Sequence, residues 1–433
     1  MTQVTEAVAQ PRTDTAWSNR DFRRLWLGSA VSSFGSEVAE LALPLLALVT
    51  LSASAAEVGL LRVAQFLPFL LATLPLGVLV DRHHRWRLRF MVGADLGRFA
   101  LIALIPLGVW CGVARVEWLY VVVFAAGILT VLYQIADFAF LPSLVRTDQL
   151  VDANGKIAAT QSANEIGGRG MAGLIVQAAT APVAVAVNAV AFLISALSLR
   201  RIRIEQAARA DDAEIQPVPA GGRWRETVAG LRVALGNRYV RALLGEATTF
   251  NLFNEMFILG LMLYAVRGLG MGAATIGLVF TAGGVGSFIG AWFGSRVAGR
   301  FGYGRVLLVT LILGNTAPVG VLLLGHAGAA ALALLCAVFV VMGIGIGIAN
   351  VHAVSLRQTA VPERLRGRVN AAYRLISWGA MPVGAAVGGV VASHAGAWAA
   401  MAAGAIGIAT ATLWVGFSAV PRLVRIADAR TAP

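Results

Sequence analysis

The chain has 433 residues, of which 58% are hydrophobic and only 13% are charged, and its formal net charge is +13. Soluble proteins carry about 25% charged residues, so this composition excludes an ordinary soluble protein and favours a polypeptide surrounded mostly by lipid. The positive charge does not indicate nucleic acid, because it lies in short loops beside apolar stretches, where basic residues orient membrane helices.

Twelve apolar stretches follow one another along the chain, and each is predicted to be a transmembrane helix. A bilayer core of about 30 Å needs about 20 apolar residues per helix, and lipid offers no partner for an open backbone hydrogen bond. Unbroken apolar runs also exclude a transmembrane β-barrel, whose strands alternate. The expected spans are 24–50, 57–80, 88–111, 117–141, 155–178, 181–200, 239–266, 273–298, 304–325, 328–354, 370–393 and 396–419.

The basic residues fall almost entirely in the tails and in every second loop. Among 35 of them, Arg115 and Arg267 lie in the opposite loops, and Arg62, Arg98 and Arg169 lie inside spans. Because loops rich in Lys and Arg stay cytoplasmic, both termini are expected on the cytoplasmic side of a cytoplasmic membrane. The near absence of lysine favours a GC-rich, bacterial coding sequence.

The polar segment 201–238 separates six spans from six. We therefore expect a cytoplasmic tail at 1–23, a six-helix bundle at 24–200, a linker at 201–238, a second bundle at 239–419 and a cytoplasmic tail at 420–433. Apolar residues at helical spacing in 224–235 predict an amphipathic helix on the inner membrane surface; a solvated linker helix is the alternative.

The two halves echo each other. The first span contains SSFGSE at 32–37 and the seventh contains TTFNLFNE at 248–255, so Glu37 and Glu255 each fall near mid-membrane. A repeat of six plus six helices is typical of transporters whose two bundles rock around a central site. The predicted fold is an all-α membrane protein with two pseudo-symmetric bundles.

The segment GVLVDRHHR at 77–85 lies between the second and third spans. It resembles the G-x-L-x-D-R-x-x-R signature of the major facilitator superfamily, with His84 at a position where the family usually has glycine. The resemblance implies a cytoplasmic gate in which acidic and basic side chains latch the bundles when the cavity faces outward. The gate candidates are Gly77, Asp81, Arg82, Arg85, Asp95, Arg98 and Asp137. For the last three we favour a structural ion-pair cluster that continues from Asp81.

A second resemblance rests on RQ at 357–358, PERLRGRVN at 362–370, LPSLV at 141–145 and LVDANG at 150–155. These segments resemble the branch of the superfamily that contains macrolide-efflux and siderophore-export proteins, the transmembrane secretion effectors. The resemblance implies export, whereas charge and periodicity do not indicate a direction.

Charged side chains inside spans are costly and usually functional. Glu37 and Glu40 share a face of the first span, and the resemblance implies that the first helix of each half lines the cavity. Glu37, Glu40 and Glu255 are therefore the candidates for proton coupling, and Glu165, inside the fifth span, is the fourth candidate.

Arg169 lies four residues after Glu165, where exporters of this kind often have a Gly-Pro-rich element. Three interpretations of Arg169 stay open. It forms an internal salt bridge one helical turn long, it is a cavity cation that binds an anionic substrate group or toggles with the proton, or it is a sequence peculiarity or an engineered substitution. The candidates for the substrate cavity are Arg62, Gln65, Tyr133, Arg169, Asn251, Phe253 and Asn254.

The predicted function is a secondary transporter that exports a small amphipathic molecule in exchange for protons. A lipid or lysophospholipid flippase of the same fold is the alternative, and a membrane-embedded enzyme is a less favoured one. No catalytic motif, metal spacing or phosphate loop occurs among the five histidines or elsewhere, so no cofactor is expected. The expected partners are the substrate, protons and membrane lipids, without nucleic acid, and a monomer is expected.

Overall fold

A computed structural model of the protein describes residues 15–146, 149–202, 230–324 and 328–429. Within these ranges the chain forms long helices and no β-strand. The twelve long helices are α1 (Arg20–Leu45), α2 (Ala55–Arg82), α3 (Arg87–Trp110), α4 (Val116–Leu144), α5 (Leu150–Ala178), α6 (Ala181–Arg200), α7 (Arg238–Leu263), α8 (Ala273–Phe301), α9 (Tyr303–Thr316), α10 (Ala329–Ala360), α11 (Glu363–Ala395) and α12 (Ala397–Gly416).

Every predicted span corresponds to one of these helices, but the predicted boundaries are not the observed ones. The helix α9 continues as a 3-10 helix over Ala317–Leu323, and α11 begins well before the predicted residue 370. Most of the predicted amphipathic helix at 224–235 lies outside the described residues; its end, 230–236, is helical.

Eleven of the helices are long and apolar enough to cross a membrane, and α5 is the exception. Its polar side chains have partners inside the protein. Asn164 Nδ2 donates to the carbonyl of Ala30 at 2.8 Å, and Thr160 Oγ1 accepts from Trp26 Nε1 at 2.9 Å. Because these groups meet α1 rather than lipid, α5 tolerates a polarity that a lipid-facing helix would not.

The helix contacts repeat between the two halves. In the first half α1 packs on α5 and α6, α2 packs on α4, and α3 packs on α4 and α6. In the second half α7 packs on α11 and α12, α8 packs on α10, and α9 packs on α10 and α12. The two halves contact each other mainly through α2 with α11 and through α5 with α8. Because α2 corresponds to α8 and α5 corresponds to α11, the symmetry between the halves converts one of these contacts into the other. The structure therefore confirms two pseudo-symmetric six-helix bundles.

Local details repeat in the same way at the start of each half. Asn19 caps α1 and Asn237 caps α7, each accepting two backbone N–H bonds through its side-chain oxygen. The remaining amide group of Asn19 donates to the carbonyl of Leu144 at the end of α4 (2.7 Å), and that of Asn237 donates to Ala360 at the end of α10 (3.1 Å). Each cap thus satisfies one helix N-terminus and one helix C-terminus at once.

The outer ends of α1 and α7 also match. Each helix widens into a single π turn, over Leu46–Thr50 and over Tyr264–Gly268. The chain then passes through a left-handed residue, Ser52 with φ 53° and Gly270 with φ 59°. The π turn and the left-handed residue stand at equivalent positions of the two halves. The chain therefore leaves α1 and α7 with the same geometry, although the residues there differ.

Glycines set the close packing of α8 on α10. A Cβ added to Gly286 would collide with the carbonyl of Val340, one added to Gly290 with the carbonyl of Ile344, and one added to Gly343 with the carbonyl of Gly283. The glycines of α8, which form a ladder at four-residue spacing, therefore act by letting two backbones approach.

Replacing a ladder glycine is expected to destabilise the protein. Gly290→Ala should cost about 1–3 kcal/mol by overpacking and lower the midpoint of thermal denaturation of the purified protein. The matched control is Gly93→Ala on α3, where no atom lies within 4 Å of the added Cβ, so the higher helix propensity of alanine should leave the midpoint equal or raised. Equal effects of the two variants would contradict this packing.

Candidate functional site

A cavity of about 1220 Å³ lies between the two halves. Its lining reaches from Leu41 and Met262 to Gln358 and Asn370. We call the end of the molecule that carries the loops with Arg82, Arg85, Arg305 and Arg366 the arginine-rich end. The cavity opens toward this end, which the sequence predicts to be cytoplasmic.

The opposite end is closed by apolar packing between the halves. One buried cluster there contains side chains of α1, α2 and α3 together with Leu259, Met262 and Leu263 of α7 and Ile276 of α8. The backbones of Gly59 on α2 and Gly389 on α11 also meet there. The structure therefore has one open and one closed face, as expected of one state of an alternating-access cycle.

A cluster of charged side chains lies at the closed end of the cavity, and Arg62 is its centre. The Arg62 side chain is 8% exposed and donates to Glu255 Oε2 through Nη2 at 2.9 Å and through Nε at 3.3 Å. Nη1 donates to Glu40 Oε1 at 2.6 Å and to Gln65 Oε1 at 3.0 Å. The guanidinium also lies 4.8 Å from the ring centroid of Phe66. Arg62 thus joins a carboxylate of its own half to one of the other half.

Arg169 forms the second ion pair of the cluster. Its Nε donates to Glu37 Oε2 at 3.1 Å, from α5 to α1. The salt bridge with Glu165, one of the interpretations left open by the sequence, is not formed among the described side chains, because Arg169 points to α1 rather than back along its own helix. Glu165 instead lines the cavity beside Arg169.

The structure brings together most of the predicted site residues. Glu40, Arg62, Glu165, Arg169 and Glu255 line the cavity, with Asn251 and Asn254. Asn251 Nδ2 donates to the carbonyl of Ser377 at 2.8 Å. Glu37 and Gln65 are not among the lining residues; they contact the cluster as the partners of Arg169 and Arg62.

Two predicted cavity residues lie elsewhere. Tyr133 is buried among α3, α4 and α6, where the guanidinium of Arg98 stacks on its ring at 4.5 Å. Phe253 faces α12, where its ring packs on Gly407. Neither belongs to the cavity lining; each side chain points away from the cavity into its own bundle, which aromatic identity alone does not reveal.

Sequence reasoning did not predict several lining residues. Arg357 and Arg374 lie on the cavity wall with Tyr373, although the predicted spans place Arg357 in a loop. Glu246 and Asn315 form a polar contact between α7 and α9, with Asn315 Nδ2 donating to Glu246 Oε1 at 3.2 Å. The usable signal was a charged or amide residue inside an apolar run, as at Glu246 and Asn315.

The comparison with protein families agrees with this geometry. The model of the family described as transmembrane secretion effector, within the major facilitator superfamily, matches residues 14–431. The chain belongs to this family. Macrolide efflux protein A of Streptococcus pyogenes is 25% identical over 385 residues, which cover 87% of this chain and 90% of that protein.

Solved transporter structures share the fold of this secretion effector. A bacterial homologue of the iron transporter ferroportin in an inward-facing state has a TM-score of 0.63 at 18% identity and covers 92% of this chain and 98% of its own. A nucleoside transporter has a TM-score of 0.67 at 11% identity, covering 92% and 98%. A bacterial homologue of the human lysosomal transporter Spinster has a TM-score of 0.66 at 13% identity, covering 95% and 98%. These likenesses show the fold, while the family match and the similarity to macrolide efflux protein A make the chain a multi-pass membrane transporter and a homologue of an efflux protein.

The predicted gate of the secretion effector falls into two parts. Gly77 is buried near the end of α2, while Asp81, Arg82 and Arg85 are exposed at the arginine-rich end. An exposed α2–α3 turn fits a structure whose cavity is open at this end, because the predicted latch closes only when the cavity faces outward. The latch itself stays a prediction.

The other part is an ion pair inside the first bundle. Asp95 and Arg98, one turn apart on α3, form a salt bridge with side chains 0% and 3% exposed. Arg98 also stacks on Tyr133 and, at 4.2 Å, on Phe192, and Asp137 lies nearby as a buried carboxylate. All of these contacts stay within one bundle, which supports the structural interpretation of this cluster.

Breaking the Asp95–Arg98 pair is expected to destabilise the secretion effector. Arg98→Met leaves a buried carboxylate without its cation and should cost about 3–5 kcal/mol, measured as a lower midpoint of thermal denaturation. The double variant Asp95→Asn/Arg98→Met removes both charges and should recover much of that loss. Equal losses in the single and double variants, or lost transport with unchanged stability, would contradict a structural role.

Proposed function

We propose that this transporter exports a small amphipathic molecule in exchange for protons by alternating access. Efflux is supported by the similarity to macrolide efflux protein A and by a cavity that opens toward the predicted cytoplasmic face. The lining combines Phe66, Phe250, Phe280 and Phe339 with amide and charged groups. Such a lining suits a molecule that has both an apolar body and polar groups.

The observation that carries the proposal is the position of Arg62 between Glu40 and Glu255. Glu40 lies on α1, in the same half as Arg62, whereas Glu255 lies on α7, in the other half. When the halves separate at the closed end, Arg62 keeps its partner in its own half and leaves Glu255. The rocking movement therefore changes the electrostatic surroundings of Glu255 much more than those of Glu40.

This change couples the movement to protons. A carboxylate without its guanidinium in a site of low dielectric is stabilised by taking up a proton. In the outward-open state Glu255 would bind a proton from outside. When the halves close again, Arg62 returns, competes with the proton, and the proton leaves through the cavity to the arginine-rich end.

The direction of proton flow supplies the driving force. Moving one elementary charge across a membrane potential of 100 mV is worth about 2.3 kcal/mol. One proton per cycle is therefore sufficient to concentrate a neutral substrate about 50-fold outside at this potential.

Glu255→Gln is expected to abolish transport driven by a pH gradient. Glutamine keeps the shape and can accept a hydrogen bond from Arg62, but it cannot exchange a proton. The measurement is pH-driven transport in proteoliposomes across a panel of erythromycin, the zwitterionic antibiotic ciprofloxacin and a lysophospholipid. Counterflow of a substrate without a gradient should remain, because it needs only the cavity and the rocking movement.

The matched control is Glu57→Gln at the start of α2. Glu57 forms a capping box with Ser54, and glutamine retains that function, so pH-driven transport should be unchanged. Full pH-driven transport by Glu255→Gln would overturn the assignment of Glu255. Transport of the lysophospholipid alone would favour the flippase over the drug exporter.

A further inference from the structure

A second charged region lies at the open end of the cavity, on α10 and α11. The guanidinium carbon of Arg357 lies 3.7 Å from the ring centroid of Tyr373, and that of Arg374 lies 4.3 Å from the ring of Trp378. All four side chains line the cavity. Two cations with aromatic neighbours therefore form one wall of its mouth.

These two cations differ from those at the closed end. Arg62 and Arg169 each have carboxylate partners, whereas no ion pair joins Arg357 or Arg374 to a carboxylate among the described residues. The carboxylate of Glu246, on the same side of the cavity, accepts a hydrogen bond from Asn315. Stacking on a ring orients a guanidinium without neutralising its charge.

We propose that Arg357 and Arg374 form a subsite for an anionic group of the exported molecule, a carboxylate, sulfonate or phosphate. This subsite rests on the proposed function and names its substrate class, an anionic or zwitterionic amphiphile. A guanidinium offers paired N–H donors that match the oxygens of such a group. The ring of Trp378, which is 38% exposed, offers an apolar surface beside it.

The two ends of the cavity differ in charge: the subsite at the mouth is cationic, and the cluster at the closed end is anionic. Carboxylates outnumber guanidiniums around Arg62 and Arg169, while the mouth carries Arg357, Arg374 and also Arg366. A zwitterionic molecule would bind with its anion at the mouth and its cation toward the closed end. A purely cationic molecule would gain nothing from the mouth and would be repelled there.

The test compares two probes that differ in one charge. The probes are 2-naphthoylglycine, which carries a carboxylate, and its neutral carboxamide; binding to the full-length protein in nanodiscs is measured by isothermal titration calorimetry. One charge-assisted hydrogen-bonded contact should make the anion bind about tenfold more tightly than the amide. Arg357→Gln and Arg374→Gln should each reduce this preference, and the double variant should remove it while the amide binds as before.

Arg305→Gln is the matched control, because Arg305 is an exposed arginine at the same end and does not line the cavity. Its preference for the anion should equal that of the unmodified protein. Equal binding of the two probes to the unmodified protein, or a preference that survives in the double variant, would overturn the subsite. Unchanged binding of the amide shows that the variants are folded.

Competition identifies the source of the anionic group. Displacement of 2-naphthoylglycine by lysophosphatidylglycerol but not by inorganic phosphate would assign the subsite to an anionic lipid headgroup, and displacement by inorganic phosphate would assign it to soluble anions. Either result supports the subsite if it depends on Arg374. Binding is measured without a proton gradient, so a failure of pH-driven transport would not change the binding preference. Equally, a loss of the binding preference would not decide whether Glu255 couples transport to protons.

Discussion

The structure depends on the rule that a charge inside a membrane protein must meet an opposite charge or water. Arg62 satisfies it by contacting Glu40, Glu255 and Gln65 at once. Removing Arg62 alone would leave the carboxylates of Glu40 and Glu255 in the interior without their cation. The closed end of the cavity is therefore held by two different forces: apolar packing, which is insensitive to pH, and an ion pair between the halves, which a proton can break.

The packing between helices makes a rocking movement possible. At the closed end the halves meet through small residues, such as Gly59 against Gly389 and Gly173 against Gly277. These contacts bring two backbones together directly, and the buried apolar cluster around Leu259 and Met262 opens with them when the halves separate. The bundles themselves are joined by larger contacts, for example α8 with α10, where glycines bring two backbones together along much of the helix. Glycines thus bring helices together both between the halves and within a bundle.

Much of the fold could be predicted from the sequence because lipid imposes a strict rule on it. Unbroken apolar runs and alternating basic loops were sufficient for the helices, and the similarity around Glu37 and Glu255 was sufficient for the repeat. The partner of Arg169 could not be predicted in the same way. Spacing along α5 favoured Glu165, but the rotation of α5 against α1 placed Glu37 at 3.1 Å instead, and no local pattern encodes that rotation.

The sequence also did not predict whether an aromatic side chain points into the cavity or into its own bundle. Tyr133 and Phe253 fit a cavity as well as Phe250 does by composition, yet each packs inside its own bundle. Charged residues were easier to place because burial without a partner is so costly that a charge in a span favours an interior position. The same argument missed Arg357, since an arginine near a helix end is ordinarily explained by the loop beside it.

The helices of the two halves are arranged symmetrically, but the ion pairs at the cavity are not. Glu37 and Glu255 occupy equivalent places in the two halves, but Glu37 pairs with Arg169 of its own half, whereas Glu255 pairs with Arg62 of the other. In a rocking movement the first pair travels as one body and the second is pulled apart. A symmetric scaffold with one ion pair inside a half and one between halves thus makes a single carboxylate sensitive to conformation. In the proposed cycle this asymmetry, rather than the number of carboxylates in the cavity, determines that Glu255 couples to protons.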